Sequence, residues 1–254
     1  MISPGDLLEY RAYFMDERQL EKDYLQNLLL YELYLDFSID LVFKGGTALK
    51  MFYSLNRFSE DLDFTYTGAE ERGKTIRRFE SVFNRFGKMY KIPRLKRRGA
   101  AGSLDYELGI AGPLFGRANT LQNIELNISM REKPILEPEL KSREPVYQDI
   151  PLFSAYVMDT REILAEKVRA LFTRKRVKAR DIYDIYYLMK FKHVKKNKGI
   201  IKDKLSLYSK KFSKTELDER LDSIGRASWK SELSNLIKTV PDYDEVTGYI
   251  AEHL

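Results

Sequence analysis

Two aspartates are the residues of this 254-residue chain whose type and spacing most directly suggest chemistry. Asp61 and Asp63 lie two positions apart in DLDFTY, an alternating segment that predicts a β-strand. Because successive side chains of a strand point to opposite faces, both carboxylates would project from the same face. Adjacent carboxylates repel each other unless a cation lies between them, and hard oxygen ligands suit Mg²⁺ or Mn²⁺. The pair therefore predicts a divalent metal site.

A candidate phosphate-binding turn lies upstream of this pair. The apolar run 41–43 predicts a buried strand, which Gly45-Gly46 ends before a short helix over 47–55. Glycines let a backbone pass close to a ligand, and a helix N-terminus offers free N–H groups to an anion. Thr47 adds a hydroxyl at the same place. A phosphate cradle followed by a metal-binding pair is typical of enzymes of phosphoryl or nucleotidyl transfer.

The elements that must position these residues are helices and strands in the first half of the chain and helices alone in the second. Sequence periodicity predicts helices over 17–37 and 70–90, and strands over 62–66, 103–110 and 123–130, with 103–110 at a sheet edge. Helical patterns then cover 160–173, 180–191, 198–210, 215–224, 229–238 and 242–253. We expect an α+β fold, with a mixed sheet flanked by helices over 1–158 and an all-helical domain over 159–254.

Composition excludes several classes of protein. Cysteine is absent and histidine occurs only at positions 193 and 253, which excludes disulfides, thiolate metal sites and a cysteine nucleophile. No apolar run approaches the roughly 18 residues of a membrane span, and the N-terminus does not resemble a signal peptide. We therefore expect a cytoplasmic protein without a membrane partner. The net charge is +6, but residues 91–200 alone carry +10, which suits either a polyanionic partner or a solvated basic face.

Two parts of the sequence resemble a known family. The stretches KGGTAL (44–49) and RFSEDLDF (57–64) look like the first motif of the AbiEii/AbiGii toxin family. This family belongs to the nucleotidyltransferase superfamily of the DNA polymerase β type. The stretches EILAEKVRALF (162–172) and RDIYDIYYL (180–188) match the family in the expected order. The resemblance covers about residues 30–190 and implies a nucleotidyltransferase-like fold.

The resemblance also implies an activity. The protein would be a metal-dependent enzyme that moves a nucleoside monophosphate from a nucleoside triphosphate to an acceptor hydroxyl. Gly45, Gly46 and Thr47 would hold the triphosphate, and Asp61 and Asp63 would bind Mg²⁺ or Mn²⁺.

A third carboxylate from a neighbouring strand is usual in this superfamily. Glu125 is the candidate, because it alternates with Asn127 on the predicted strand 123–130. Asp105 and Glu107 form a competing pair, and a solvated strand position is the alternative interpretation of Glu125.

In the family, a lysine and an aspartate of the helical half support the nucleotide site. They correspond to Lys167, which would contact phosphate, and to Asp181, with Asp184 as the alternative aspartate. The residue pattern alone allows simpler roles. Lys167 could be a surface lysine with a buried stem, Asp181 could stabilise a helix N-terminus, and Asp184 could pair with Arg180.

Basic residues between these two helices form a predicted RNA-binding segment, consisting of Arg174, Lys175, Arg176 and Lys178. A further basic cluster lies at 94–98. Such clusters suit RNA phosphates, an acidic antitoxin or the nucleotide itself. Family members are implicated in toxin–antitoxin systems, and some modify the 3′ end of tRNA, so the resemblance implies tRNA and an antitoxin as partners.

Two other functions stay open at this stage. One is a non-catalytic protein that keeps the fold and binds RNA or a partner. The other is a nucleotidyltransferase that acts on a protein or a small molecule.

Overall fold

The chain divides into two compact units. The computed structural model describes residues 1–100, 102–118 and 120–254, which together form seven strands and eleven α-helices. Unit 1 consists of Met1–Ser54, Phe58–Pro134 and Pro138–Val157. Unit 2 consists of Leu55–Arg57, Ile135–Glu137 and Met158–Leu254. Two short internal segments thus belong to unit 2, and the sequence-based boundary after residue 158 stays a prediction.

Unit 1 contains a mixed sheet, as the sequence predicts. Its strands are β1 (Leu41–Lys44), β2 (Leu62–Tyr66), β3 (Arg94–Arg98), β4 (Ser103–Ile110), β5 (Gln122–Ser129), β6 (Glu139–Arg143) and β7 (Phe153–Val157). They lie in the order β3-β4-β5-β2-β1-β7-β6. The pairs β2–β5 and β1–β7 are parallel, and the other pairs are antiparallel. The helices are α1 (Pro4–Leu8), α2 (Glu17–Tyr34), α3 (Gly45–Tyr53), α4 (Arg72–Met89) and α5 (Phe115–Ala118).

One face of the sheet is buried under helices. Leu104, Tyr106 and Leu108 of β4 and the alternate residues Ile124, Leu126 and Ile128 of β5 are buried on this face. Helix α4 packs there, with the ring centroids of Phe79 and Phe83 5.6 and 4.8 Å from that of Tyr106. The opposite face of the same strands carries polar side chains, because alternation along a strand separates the two sets.

The predicted edge strand 103–110 lies inside the sheet instead, because β3 pairs with it on the outer side. The sequence of β3 is RLKRR, which lacks the apolar alternation that indicates a strand. Three of its basic side chains lie close to Glu107 of β4: Arg94 and Arg98 at 3.5 Å and Lys96 at 3.9 Å. Basic side chains on an edge strand also discourage pairing with other chains. The 94–98 cluster is therefore an edge strand held by cross-strand ion pairs.

Unit 2 is helical. It contains α6 (Thr160–Thr173), α7 (Ala179–Lys190), α8 (Lys198–Ser206), α9 (Lys214–Asp222), α10 (Gly225–Leu233) and α11 (Tyr243–His253). These helices follow the predicted series. No helix in the described ranges 1–100, 102–118 and 120–254 is long and apolar enough to cross a membrane.

A buried charge network in unit 2 holds the internal segment Ile135–Glu137. Glu162 and Lys204 are both fully buried, with 2.7 Å between Oε1 and Nζ. Glu162 also accepts hydrogen bonds from the backbone N–H groups of Ile135 and Leu136, at 2.9 to 3.0 Å. Glutamate and lysine are almost never fully buried without partners, so sequence periodicity alone does not reveal this network.

Candidate active site

The two predicted metal-binding aspartates lie at the start of β2, on the polar face of the sheet. Leu62 and Phe64 are buried, whereas Asp61 and Asp63 are partly exposed, as strand alternation requires. Asp63 faces Asn127 of the parallel neighbour β5. The amide Nδ2 of Asn127 donates a hydrogen bond of 3.0 Å to Asp63 Oδ1. This contact fixes the orientation of the carboxylate and leaves its second oxygen for another partner.

The glycine-rich turn lies directly against Asp63. Gly45 has φ +77°, a backbone conformation that favours glycine. A Cβ atom at this position would lie 2.3 Å from Asp63 Oδ2, much closer than van der Waals contact allows. The pairing of Lys44 with Asp63 between β1 and β2 brings the two together. The turn and the carboxylate, which are separate stretches of the sequence, thus lie against each other in the fold.

Thr47 has a structural contact that the sequence did not indicate. Its side chain is fully buried, and its hydroxyl donates a hydrogen bond to the backbone carbonyl of Asp61. Thr47 therefore positions the approach to β2. Helix α3 begins at Gly45, and its N-cap residue, Lys44, makes no side-chain capping hydrogen bond. The N–H groups of this turn are the part of the motif that could meet a phosphate.

Glu125, the predicted third metal ligand, is exposed on the same face of β5 as Asn127. The β2–β5 register begins with Leu62 opposite Leu126, so Asp61 and Glu125 are the residues that directly precede this first pair. Within the described part of the chain, no three acidic, histidine or cysteine side chains are grouped closely enough to hold a metal ion. Asp61, Asp63 and Glu125 therefore stay a predicted ligand set.

The competing pair of carboxylates on β4 is already engaged. Asp105 accepts a hydrogen bond of 3.2 Å from the hydroxyl of Ser103. Glu107 is surrounded by the three basic side chains of β3 described above. Glu107 is therefore the less available of the two for a metal ion.

In unit 2, the structure brings the predicted lysine and both candidate aspartates together. Lys167 Nζ lies 3.0 Å from Asp181 Oδ1 and 2.7 Å from Asp184 Oδ2. Both aspartates are almost fully buried at the start of α7. The two aspartates thus share one lysine, and the preference for Asp181 over Asp184 as the functional aspartate stays a prediction.

Arg57 completes this cluster, a role that the sequence analysis missed. It is 2% exposed, and its Nε and Nη2 donate to the two oxygens of Asp184 at 2.6 and 2.7 Å. Asp184 is therefore a partner of Arg57 and Lys167, and its suggested pairing with Arg180 stays a prediction. The one indication in the sequence is that Arg57 is the first residue of the family-like stretch RFSEDLDF.

The charged forms of Lys167 and Asp181 are favoured despite their burial. Burial disfavours the charge of Lys167, but Asp184 and Asp181 outweigh it and raise the pKa of the lysine. Burial likewise opposes the charge of Asp181, but Lys167 and Arg174 lower its pKa. Arg174 Nε lies 2.9 Å from Asp181 Oδ2, yet this oxygen accepts no directed hydrogen bond from a described residue. The Arg174 contact is therefore an ion pair without hydrogen-bond geometry.

The predicted RNA-binding segment 174–178 connects α6 and α7. Arg174 contacts Asp181, and Arg176 forms an ion pair of 2.9 Å with Glu232. Lys175 is exposed, and Lys178 is the residue that precedes α7. Two of the four basic residues therefore have partners within unit 2, and RNA binding by this segment stays a prediction.

Solved structures share the fold of this chain. The crystal structure of JHP933 from Helicobacter pylori is 22% identical, with a TM-score of 0.63 over 93% of this chain and 91% of that chain. A second H. pylori structure, described as a candidate nucleotidyltransferase, is 21% identical, with a TM-score of 0.63 over 94% of this chain and 95% of that chain. At these identities the likeness concerns the fold. A search of the curated proteins finds no match.

The sequence defines the family more specifically. Residues 28–249 match the family described as "Nucleotidyl transferase AbiEii toxin, Type IV TA system". The chain belongs to this family and is a nucleotidyltransferase. The resemblance seen in two short stretches therefore extends over most of the chain.

Proposed function

We propose that this nucleotidyltransferase moves a nucleoside monophosphate from a nucleoside triphosphate to an acceptor hydroxyl, at a site that takes Mg²⁺ or Mn²⁺. The observation that carries the proposal is the close approach of Gly45 to Asp63, which joins a glycine-rich turn to a carboxylate. The carboxylates of Asp61, Asp63 and Glu125 are hard oxygen donors of the kind that both ions prefer. When bound, such an ion supplies positive charge beside the attacking and leaving oxygens.

The residues of unit 1 have separate tasks in this proposal. Asn127 orients Asp63 through its hydrogen bond of 3.0 Å. Gly45 and Gly46 leave room for the triphosphate beside the first-turn N–H groups of α3. Thr47 holds the backbone of Asp61. In unit 2, Lys167 would contact phosphate and Asp181 would support the nucleotide site, as the family resemblance implies.

The test uses ATP, CTP, GTP and UTP in turn, each labelled at the α-phosphate. Each is incubated with the protein, Mg²⁺ and total tRNA, beside the Asp63→Asn variant. We expect transfer of label to RNA by the natural protein and a loss of roughly 100-fold or more in the variant, because the negative charge is removed while the shape is kept. EDTA should stop the transfer, and Mn²⁺ should restore it.

Asp105→Asn is the matched control. It makes the same chemical change on the other side of Asn127, since Asn127 pairs with both Asp63 and Asp105. We expect it to keep the natural rate. Glu125→Gln then decides the third ligand: a loss comparable to that of Asp63→Asn supports it, and an unchanged rate excludes it. Full activity in Asp63→Asn would show that the metal-ligand assignment is wrong.

The family membership supports a proposal for the acceptor and the partner. We propose a tRNA 3′ end as the acceptor, a cytoplasmic location and a toxin role with an antitoxin partner. Label on the protein itself or on a small molecule would replace tRNA as the acceptor and keep the chemistry. Strongly salt-dependent RNA binding without transfer of any label would favour the non-catalytic alternative.

A further inference from the structure

A lysine-lined cavity in unit 2 takes no part in the proposed chemistry. Its volume is about 670 Å³, within the range of pockets that hold a nucleotide-sized ligand. It is built from α8, the loop after it and the last residue, Leu254. Five of its lining residues are lysines and none is acidic: Lys196, Lys198, Lys202, Lys210 and Lys211.

Three of these lysines have no partner among the described residues. Lys196 donates to the backbone oxygen of Leu254 at 2.7 Å, and Lys210 pairs with Glu216 at 3.0 Å. Lys198, Lys202 and Lys211 make no side-chain hydrogen bond or ion pair within the described ranges. Like charges that share one cavity repel each other, so an anionic ligand would relieve this repulsion.

The cavity also has apolar surface. Ile201 and Phe212 contribute to its lining, and Phe212 is 38% exposed. The ring of Phe212 also contacts that of Phe172, at 5.4 Å between centroids and an interplanar angle of 33°. A ring that one neighbour holds in place and that is partly exposed can stack with a planar group of a ligand.

The loop that carries Lys210, Lys211 and Phe212 turns back onto α8 in a defined way. Ser209 has φ +55°, a conformation that is unusual for serine. The N–H groups of Ser209 and Lys210 donate to the carbonyls of Ser206 and Leu205, at 2.9 and 3.1 Å. These bonds close the end of α8 and place the loop residues beside Lys198 and Lys202 in one cavity.

We propose that this cavity is a second binding site, for a phosphate-rich ligand with a planar ring, such as a nucleoside polyphosphate. The lysines bind the phosphates as point charges, and Phe212 stacks with the base. The same chemistry could come from a free nucleotide or from a nucleotide of single-stranded RNA. This site is independent of the carboxylates of unit 1 and needs no metal ion.

The test measures binding of fluorescently labelled ATP in EDTA, by anisotropy, so that transfer is suppressed. We expect the variant K198A/K202A/K211A to bind at least roughly tenfold more weakly, because three charge-assisted contacts are lost. The control K74A/K88A/K91A removes the same charge from exposed lysines of unit 1 that are not paired to other described side chains. It should bind as the natural protein does. Equal loss in both variants, or no binding by the natural protein, would overturn the proposal.

Melting, a Phe212 variant and two competitors make a loss of binding interpretable. The cavity variant should melt at the same or a higher temperature than the natural protein, because it removes repulsion, so that lost binding with unchanged melting is a loss of the site. Phe212→Leu should weaken ATP binding but leave inorganic tripolyphosphate binding unchanged.

Displacement of ATP by a short single-stranded RNA at lower nucleotide concentration would identify RNA as the source of the ligand, and failure of RNA to compete would identify the free nucleotide. Equal displacement by an oligoglutamate peptide would overturn the proposal, since charge alone would then suffice.

Discussion

At the scale of single residues, the contact between Gly45 and Asp63 is the most sensitive point of unit 1. Gly45→Ala should place a methyl group 2.3 Å from Asp63 Oδ2 and force a positive φ on alanine. We expect loss of about 1–2 kcal/mol of stability from the backbone and a larger, roughly 100-fold loss of transfer from displacement of the carboxylate. Thermal melting and label transfer measure the two effects separately.

Gly87→Ala is the control for this prediction. Gly87 lies within α4, and an added Cβ would meet nothing within 4 Å. We expect a gain of roughly 0.5–1 kcal/mol, because alanine is the better helix former, and no change in transfer. A Gly45→Ala protein that is as active as Gly87→Ala would show that the turn does not constrain the carboxylate.

Lys167 is the most sensitive residue of unit 2, because it neutralises two buried aspartates. Lys167→Met keeps most of the side-chain volume and leaves the cluster short of one positive charge. We expect a loss of about 3 kcal/mol or more in the free energy of unfolding, measured by urea denaturation. Lys88→Met, at an exposed position, should change it by less than about 0.5 kcal/mol. A loss in Lys167→Met no larger than in this control would contradict the buried ion cluster.

The lowered pKa of Asp181 predicts how stability depends on pH. The ionised form is favoured by folding, so its contribution is complete above 3.8, the ordinary aspartate pKa, and is lost as the pH falls through the lowered value. The stability difference between the natural protein and Asp181→Asn should therefore be constant above about pH 5 and shrink below pH 4. Glu21, whose pKa burial raises, should show the opposite sign: Glu21→Gln should gain on the natural protein as the pH rises above 4.5. Urea midpoints at several pH values check both.

At the scale of elements, we expect the basic strand β3 to prevent self-association and to take no part in transfer. Lys96 and Arg98 pair with Glu107 across the edge of the sheet. We expect the variant K96T/R98T to self-associate more readily, because the exposed edge loses its repelling charges. Light scattering measures the association, and transfer of label should be unchanged. A loss of transfer without association would instead give this cluster a role in substrate binding.

The elements also show what the sequence could and could not predict. Strand β2 and helix α6 begin and end where alternation and helical periodicity placed them, because one face of each is apolar. Strands β3, β6 and β7 were missed, since charge or flanking prolines masked their alternation. The spacing of Asp61 and Asp63 fixed their common face. The partner Arg57 could not be predicted from spacing, because Asp184 is 127 residues away in the chain.

At the scale of the whole molecule, the two units share the chain unevenly. Most of unit 2 is formed by Met158–Leu254. Two segments from the first half of the sequence, Leu55–Arg57 and Ile135–Glu137, also belong to it. A fragment of residues 159–254 would lack Arg57 and the N–H donors of Ile135 and Leu136. We expect this fragment to lack cooperative unfolding, since Asp184 and Glu162 would each lose buried partners. Circular dichroism during heating checks this, and a sharp transition like that of the full chain would contradict it.

The interleaved segments also limit how this gene can recombine. A helical half from a relative can replace residues 158–254 only if its own buried acids suit the two segments that remain behind. The segment at Ile135 tolerates substitution, because its contact with Glu162 is made by a backbone N–H group, which nearly every residue type supplies. The segment at Arg57 does not tolerate substitution in this way, since its guanidinium needs a carboxylate at the position of Asp184. Successful chimeras should therefore keep this arginine and this aspartate as an inherited pair, while residues 135 and 136 are free to vary.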